Sequence, residues 1–200
     1  MLKELEKYEF TGQTHIHEGR TLRQIRAIRD FGNINIRLVK AGTIGGWIEN
    51  ENNLSHIGNC WVSENARVFD KASVRQDAGV YDNAQVYGNA QVFGNAYIAE
   101  NARIFENAQV FGESYVGGEA QISGNARVLD RAHVFGEAEV CDFGEVSENA
   151  YVANSTRVEM SEKVNETGLG DLKSDIFSET TNAEKEEESE FPFDFFKYAR

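Results

Sequence analysis

The chain has 200 residues, with 33 Asp and Glu against 20 Lys and Arg, a net charge of -13 and a single proline among 18 glycines. That length suits one elongated domain with appendages, and an acidic balance without a dominant basic run argues against broad nucleic-acid binding, which counterion release at phosphates would drive. The start, Met1-Leu2-Lys3-Glu4-Leu5-Glu6-Lys7, is too charged for a signal peptide, and no apolar stretch reaches membrane-spanning length, so a reducing cytoplasm is the expected setting.

Residues 1–57 carry no short period. Tyr8–Thr11 and Thr21–Ile28 read as strands joined through Glu18-Gly19, although Leu22, Ile25 and Ile28, three apart, also suit a short helix. Gly42, Gly45 and Gly46 before Trp47-Ile48-Glu49 read as a tight turn. The region is expected to form a small amino-terminal β cap, because an uncovered sheet edge invites stacking.

From Val62 to Val164 every sixth residue is Val or Ile. Two positions before most of them sits Ala, as at Ala66, Ala90 and Ala126, with Cys60 and Ser114 as variants. A fixed short period signals a repeat architecture. Six residues would smear apolar side chains around a helix, whereas a strand alternates its faces. In Asn89-Ala90-Gln91-Val92-Phe93-Gly94, Ala90 and Val92 therefore point inward, and Gln91 and Phe93 outward. Pairs such as Gly94-Asn95 tolerate turn conformations. The expected fold is all-β, a chain of short strands coiled around a narrow core over residues 58–160.

This repeat resembles the hexapeptide repeat of left-handed parallel β-helices. The resemblance implies a left-handed, triangular coil of three hexads and trimers packed along their walls. Residues 62–164 would then make nearly six coils, about 28 Å long at ~4.8 Å per rung. Cys60 and Cys141 would lie about 20 Å apart along the axis, out of disulfide reach. The stretch Gly45-Gly46-Trp47-Ile48-Glu49-Asn50-Glu51-Asn52-Asn53-Leu54-Ser55, with Gly58-Asn59-Cys60-Trp61-Val62 after it and Arg20–Ile25 through Asp30-Phe31 before it, is similar to the lead-in of a group of bacterial and prophage hexapeptide-repeat proteins. Members of that group are labelled polymer-forming or, provisionally, acyltransferase.

Past Val158 the pattern decays, and Glu162 occupies a small-residue slot. Residues 159–200 hold 12 Asp and Glu against five Lys and Arg. That composition predicts a disordered acidic linker over 161–190. The final stretch, 191–200, contains Phe191, Phe193, Phe195, Phe196 and Tyr198. Two readings stay open for it: a plug on the last coil's edge, or a docking peptide for another protein.

With three hexads per coil, residues 18 apart stack into outward ladders. Phe93, Phe111 and Leu129 lie across one turn from Tyr97, Tyr115 and His133, making an apolar ridge that suits a homo-oligomer interface. At another corner Ala99 and Gly117 leave a gap between Tyr97, Tyr115 and Arg103, which suits an anionic, nucleotide-like ligand or simply a solvated face. Acyltransferases of this fold resemble one another in a histidine base near a loop that interrupts the coils. Only His133 lies on the coils here, and no such loop interrupts 62–158. No phosphate-cradling glycine loop, clustered metal ligands or nucleophile elbow is present, so neither cofactor nor metal is expected. The expected function is a non-enzymatic, oligomeric binding or structural module that engages a host or phage protein through its walls and tail, with a host-directed anti-defence inhibitor as one form. The alternatives are an acyltransferase using acetyl-coenzyme A or acyl carrier protein with His133 as base, and a binder of a small anionic ligand. No nucleic-acid or membrane partner is expected.

Overall fold

The fold comes from a computed structural model that describes residues 6–33 and 37–165. From β6 (Trp61–Val62), β7 (Arg67–Val68) and β8 (Ser73–Val74) onward, every strand is two residues long. As far as Glu145–Val146, each pairs in parallel with the strand 18 residues later: Val62 with Val80, Val68 with Val86, and Val74 with Val92. Three parallel sheets result, here called walls 1, 2 and 3 after β6, β7 and β8. Among the described residues there is no α-helix. The fold is a parallel β-solenoid, as the period requires.

The inward Val and Ile side chains are all buried, from Val62 to Val164. Burying each one contributes about 1.5–3 kcal/mol. The small slots from Cys60 through Ala138 are equally closed, Ser114 included. These side chains form one continuous core along the axis.

The solenoid has about seven turns, one more than the period alone counts. Strand β5 (Ile44–Ile48) pairs in parallel with β7, placing Ile48 on Val68, and Leu54 bridges Val74. Both spacings are 20 residues rather than 18. Ile48 and Leu54 are still six apart, so the two extra residues fall between Leu54 and Val62, which are eight apart. That loop is shaped by Ser55, whose Oγ accepts the Ile57 N–H at 3.0 Å, and by Gly58, left-handed at φ 78°. The corner before it is a single 3-10 turn, Glu51–Asn53, capped by the Asn50 side chain. Buried Asn53 anchors this corner, donating from Nδ2 to the carbonyls of Asp70 at 3.1 Å and Ala72 at 2.8 Å. The two-residue insertion hides the first coil from a search at fixed period.

Ahead of the coils, β1 (Tyr8–His17) and β2 (Arg20–Ala27) form an antiparallel hairpin, β3 (Phe31–Asn33) pairs antiparallel with β4 (Arg37–Val39), and β2 pairs antiparallel with β5. Wall 2 is thereby extended to nine strands, with β1 at its edge. The short helix considered for 21–28 does not form. Leu22, Ile25 and Ala27 are all buried because a register irregularity between Gln24 and Arg26 breaks strict alternation. Of the three glycines expected to turn together, only Gly42 is left-handed, at φ 87°. Gly45 and Gly46 lie within β5 and serve close approach. A Cβ on Gly45 would stand 2.6 Å from the Trp61 ring, and one on Gly46 2.7 Å from the Ala66 carbonyl oxygen.

The corners add something the repeat unit does not announce. Glu64, Asp70, Asp82, Glu100, Glu106 and Asp130 adopt left-handed backbone with φ near 54–60°. This conformation costs a Cβ-bearing residue roughly 1–2 kcal/mol. Their carboxylates offset that cost by accepting the corner N–H of the next coil, as Glu100 does from Gly118 at 2.7 Å and Glu106 from Gly124 at 2.7 Å. Charge-assisted bonds of this kind are about twice as strong as neutral ones.

Candidate functional site

Parallel strands in register place identical outward positions one rung apart, close enough for rings to stack. Phe93 and Phe111 lie 4.8 Å apart with planes inclined by 2°. The Arg75 guanidinium stands 6.0 Å from the first ring and that of Arg127 5.3 Å from the second. Leu129 follows, half-buried. On wall 1 and its margin, Tyr81, Tyr97, Tyr115, His133 and Tyr151 form a run with ring separations of 4.5, 5.9, 5.8 and 4.8 Å. A third run, Phe69, Tyr87 and Phe105, follows wall 2 at 5.0 and 5.2 Å. The hairpin end reaches this run, with the His17 ring edge-on to Phe69 at 5.3 Å and Arg20 ion-paired to Asp70 at 2.7 Å.

Stacking uses the ring faces on the coils themselves. Tyr97 lies between Tyr81 and Tyr115, and Tyr115 between Tyr97 and His133, so both present edges to the outside. The Tyr115 side chain also leans over Gly117, where a Cβ would collide with its Oη. Its hydroxyl donates to the Glu100 carboxylate at 3.3 Å, and burial together with that carboxylate raises the phenol above its ordinary value. The gap expected beside Gly117 is thus taken by Tyr115. Arg103 is exposed and acts electrostatically on Tyr87, the residue that follows wall 2.

His133 is half-buried between Tyr115 and Tyr151, and desolvation holds its imidazole below the usual histidine range. Among the described residues no carboxylate hydrogen-bonds to it, so nothing there sets its tautomer for base chemistry.

Features that the period did not single out lie on the last coils. Phe143 and Met160 are 63% and 70% exposed, and Phe135 and Tyr151 add to the apolar surface of the last coils. Phe143 follows Asn89, Asn107 and Asn125 in its column, a break readable in the sequence. Nearby, single ligand atoms of Cys141, Asp142 and Glu159 lie within 4.8 Å of one another. The Arg157 guanidinium already balances that charge, bonding Glu139 and Glu159 at 2.6 Å each. Phe191, Phe193, Phe195, Phe196 and Tyr198 lie outside the described residues.

Fold and surface together define a hexapeptide-repeat β-solenoid protein whose outer walls carry aligned aromatic ladders. Known proteins agree with the class. The family described as YdcK beta solenoid repeat matches residues 120–136. Over 52 residues the chain is 50% identical to a protein of Escherichia coli (strain K12) named "Uncharacterized acetyltransferase YdcK". That match covers 26% of this chain and 14% of the relative, so it spans a small part of the relative's length. Among the described residues no helix is long and apolar enough to cross a membrane.

Proposed function

We propose that this chain is a non-enzymatic solenoid module that self-associates, as a trimer, through the ridge of Phe93, Phe111 and Leu129 beside Tyr97, Tyr115 and His133. The observation that carries the reading is the Phe93–Phe111 stack with Arg75 and Arg127 at its two ends. Its half-buried ring edges form a continuous apolar strip that a second copy can cover, as interface cores require. Light scattering of the full chain tests this. The wild type should run as an oligomer, and Phe93→Glu with Phe111→Glu should dissociate it while leaving the β-sheet circular dichroism unchanged. A wild type that is monomeric at micromolar concentration overturns the proposal.

A second reading is acyl transfer from acetyl-coenzyme A with His133 as base, favoured by the printed name of the E. coli relative. It predicts acetyl-coenzyme A turnover that disappears in His133→Ala. The stacked position of His133 and its lack of an orienting carboxylate among the described residues weigh against it.

A further inference from the structure

Lys7 and Cys60 are both fully buried, 53 residues apart in sequence, with Nζ 3.2 Å from Sγ. The ammonium position is held by the Gly58 carbonyl at 3.1 Å and by the Phe31 ring, 5.2 Å from Nζ to its centroid. Cys60 occupies the small slot just ahead of β6, the terminal strand of wall 1, so the cap covers it where the sheet ends. Its sulfur lies 3.4 and 3.5 Å from the carbonyl oxygens of Ser55 and Val74, which can accept the S–H. A lysine is a costly filler for a dry slot that methionine would suit. It brings a primary amine against a thiol, with no competing acid close enough to form an ion pair among the described residues.

We propose that Lys7 and Cys60 are an oxidative modification site, at which hydrogen peroxide converts the amine and thiol into a sulfenamide that ties the amino-terminal segment to the first coil. In the first step the Cys60 sulfur attacks peroxide. The O–O bond breaks, sulfur loses two electrons, and Cys60–SOH and water form. In the second step the Lys7 nitrogen lone pair attacks that sulfur. The S–O bond breaks, and hydroxide leaves with the amine proton as a second water, giving Cys60–S–NH–Lys7. Burial pushes the Cys60 thiol up, so the first step takes place when the Glu6-Lys7 segment lifts away from it, a local opening that leaves the coils intact. The second follows when the segment returns and restores the contact, where proximity makes condensation effectively unimolecular. Burial draws the Lys7 amine below its ordinary value, which raises the fraction carrying the lone pair that the second step needs. A thiol reductant returns both side chains by cleaving the S–N bond.

Peptide mapping of the full-length chain after peroxide treatment, digested without reductant, tests the proposal. A linked pair of peptides containing Lys7 and Cys60 is expected, about 2 Da lighter than their sum and released by thiol. The link should form equally in Cys141→Ser, which removes the chain's other thiol. It should be lost in Lys7→Arg, where Cys60 proceeds to the sulfinic acid. Recovery of wild-type Cys60 as free thiol or sulfinic acid with Lys7 unlinked overturns the proposal, and so does a link that survives in Lys7→Arg. The wild-type digest decides the matter even if the variant folds poorly.

Discussion

In the coils Val80, Ile98 and Val116 sit in near-identical surroundings, rung after rung, whereas in the cap Lys7, Tyr8 and Leu22 each meet a different set of partners. Tyr8 donates its hydroxyl to the Leu54 carbonyl at 2.9 Å and stacks on His56 at 4.2 Å, contacts without a counterpart elsewhere in the described coils. Stability in the coils is a sum of near-identical units and their interfaces. The cap instead closes one end of that array through a handful of specific fits. The coils therefore depend on the inward register and on their repeated corner bonds, and the cap depends on its particular contacts.

The sharpest way to break this comparison is Val110→Asp. It places a carboxylate in a dry core between Val92 and Val128, with a cost of several kcal/mol. Circular dichroism should show a chain that no longer melts cooperatively. Gln109→Asp, one residue away and facing outward, should stay within about 0.5 kcal/mol of wild type by thermal melting. Equal damage from the two would refute the register.

Gly46→Ala probes the fit between β5, where the cap passes into the first coil, and the strands β6 and β7. Its Cβ would meet the Ala66 carbonyl oxygen at 2.7 Å and Val62 Cγ1 at 2.9 Å, and the backbone cannot move aside cheaply. A loss of about 1–3 kcal/mol is expected in chemical denaturation. Gly12→Ala, left-handed at φ 89° but facing open space, should lose only about 1 kcal/mol.

Glu100→Ala tests the corners. It keeps the left-handed backbone cost and removes the bond from the Gly118 N–H and the Tyr115 hydroxyl, so about 1–3 kcal/mol should be lost. Glu100→Gly removes the same bonds but also the backbone cost, and should lose about 1 kcal/mol less in the same denaturation series.

The smallest effect is a pH dependence shared by one histidine in each region. Burial lowers the folded-state values of His56 and His133 below 6.5, so the unfolded chain takes up these protons first. Their contribution to stability is complete above that value and is lost as pH falls through 6.5 toward the folded values. The melting temperature should decline over that window, and His56→Gln and His133→Gln should each flatten the decline. Both tryptophans, Trp47 and Trp61, lie at the cap end, so their fluorescence should respond to His56→Gln and not to His133→Gln.

The period from Val62 to Val164 was sufficient to read the coiled core and its buried face, because a fixed spacing of Val and Ile admits one inward register. The stacking of Phe93 on Phe111 and of Tyr97 on Tyr115 followed once three hexads were assigned to each coil, a count taken from the family resemblance. The first coil was not legible, since Leu54 and Val62 are eight residues apart and the coil-to-coil spacing there becomes 20. Nor was the lean of Tyr115 over Gly117, which is a rotamer choice set by Glu100 on the preceding corner.

By itself, then, the sequence determined the repeat, the all-β class, the buried face and the outward positions, because each depends only on spacing along the chain. Tertiary structure decided which distant residues meet. The pairing of Lys7 with Cys60, of Tyr8 with Leu54 and of Arg20 with Asp70 spans 46 to 53 residues and follows no period. Such contacts are fixed by how the hairpin packs against the first coil, and no local propensity of either partner encodes them.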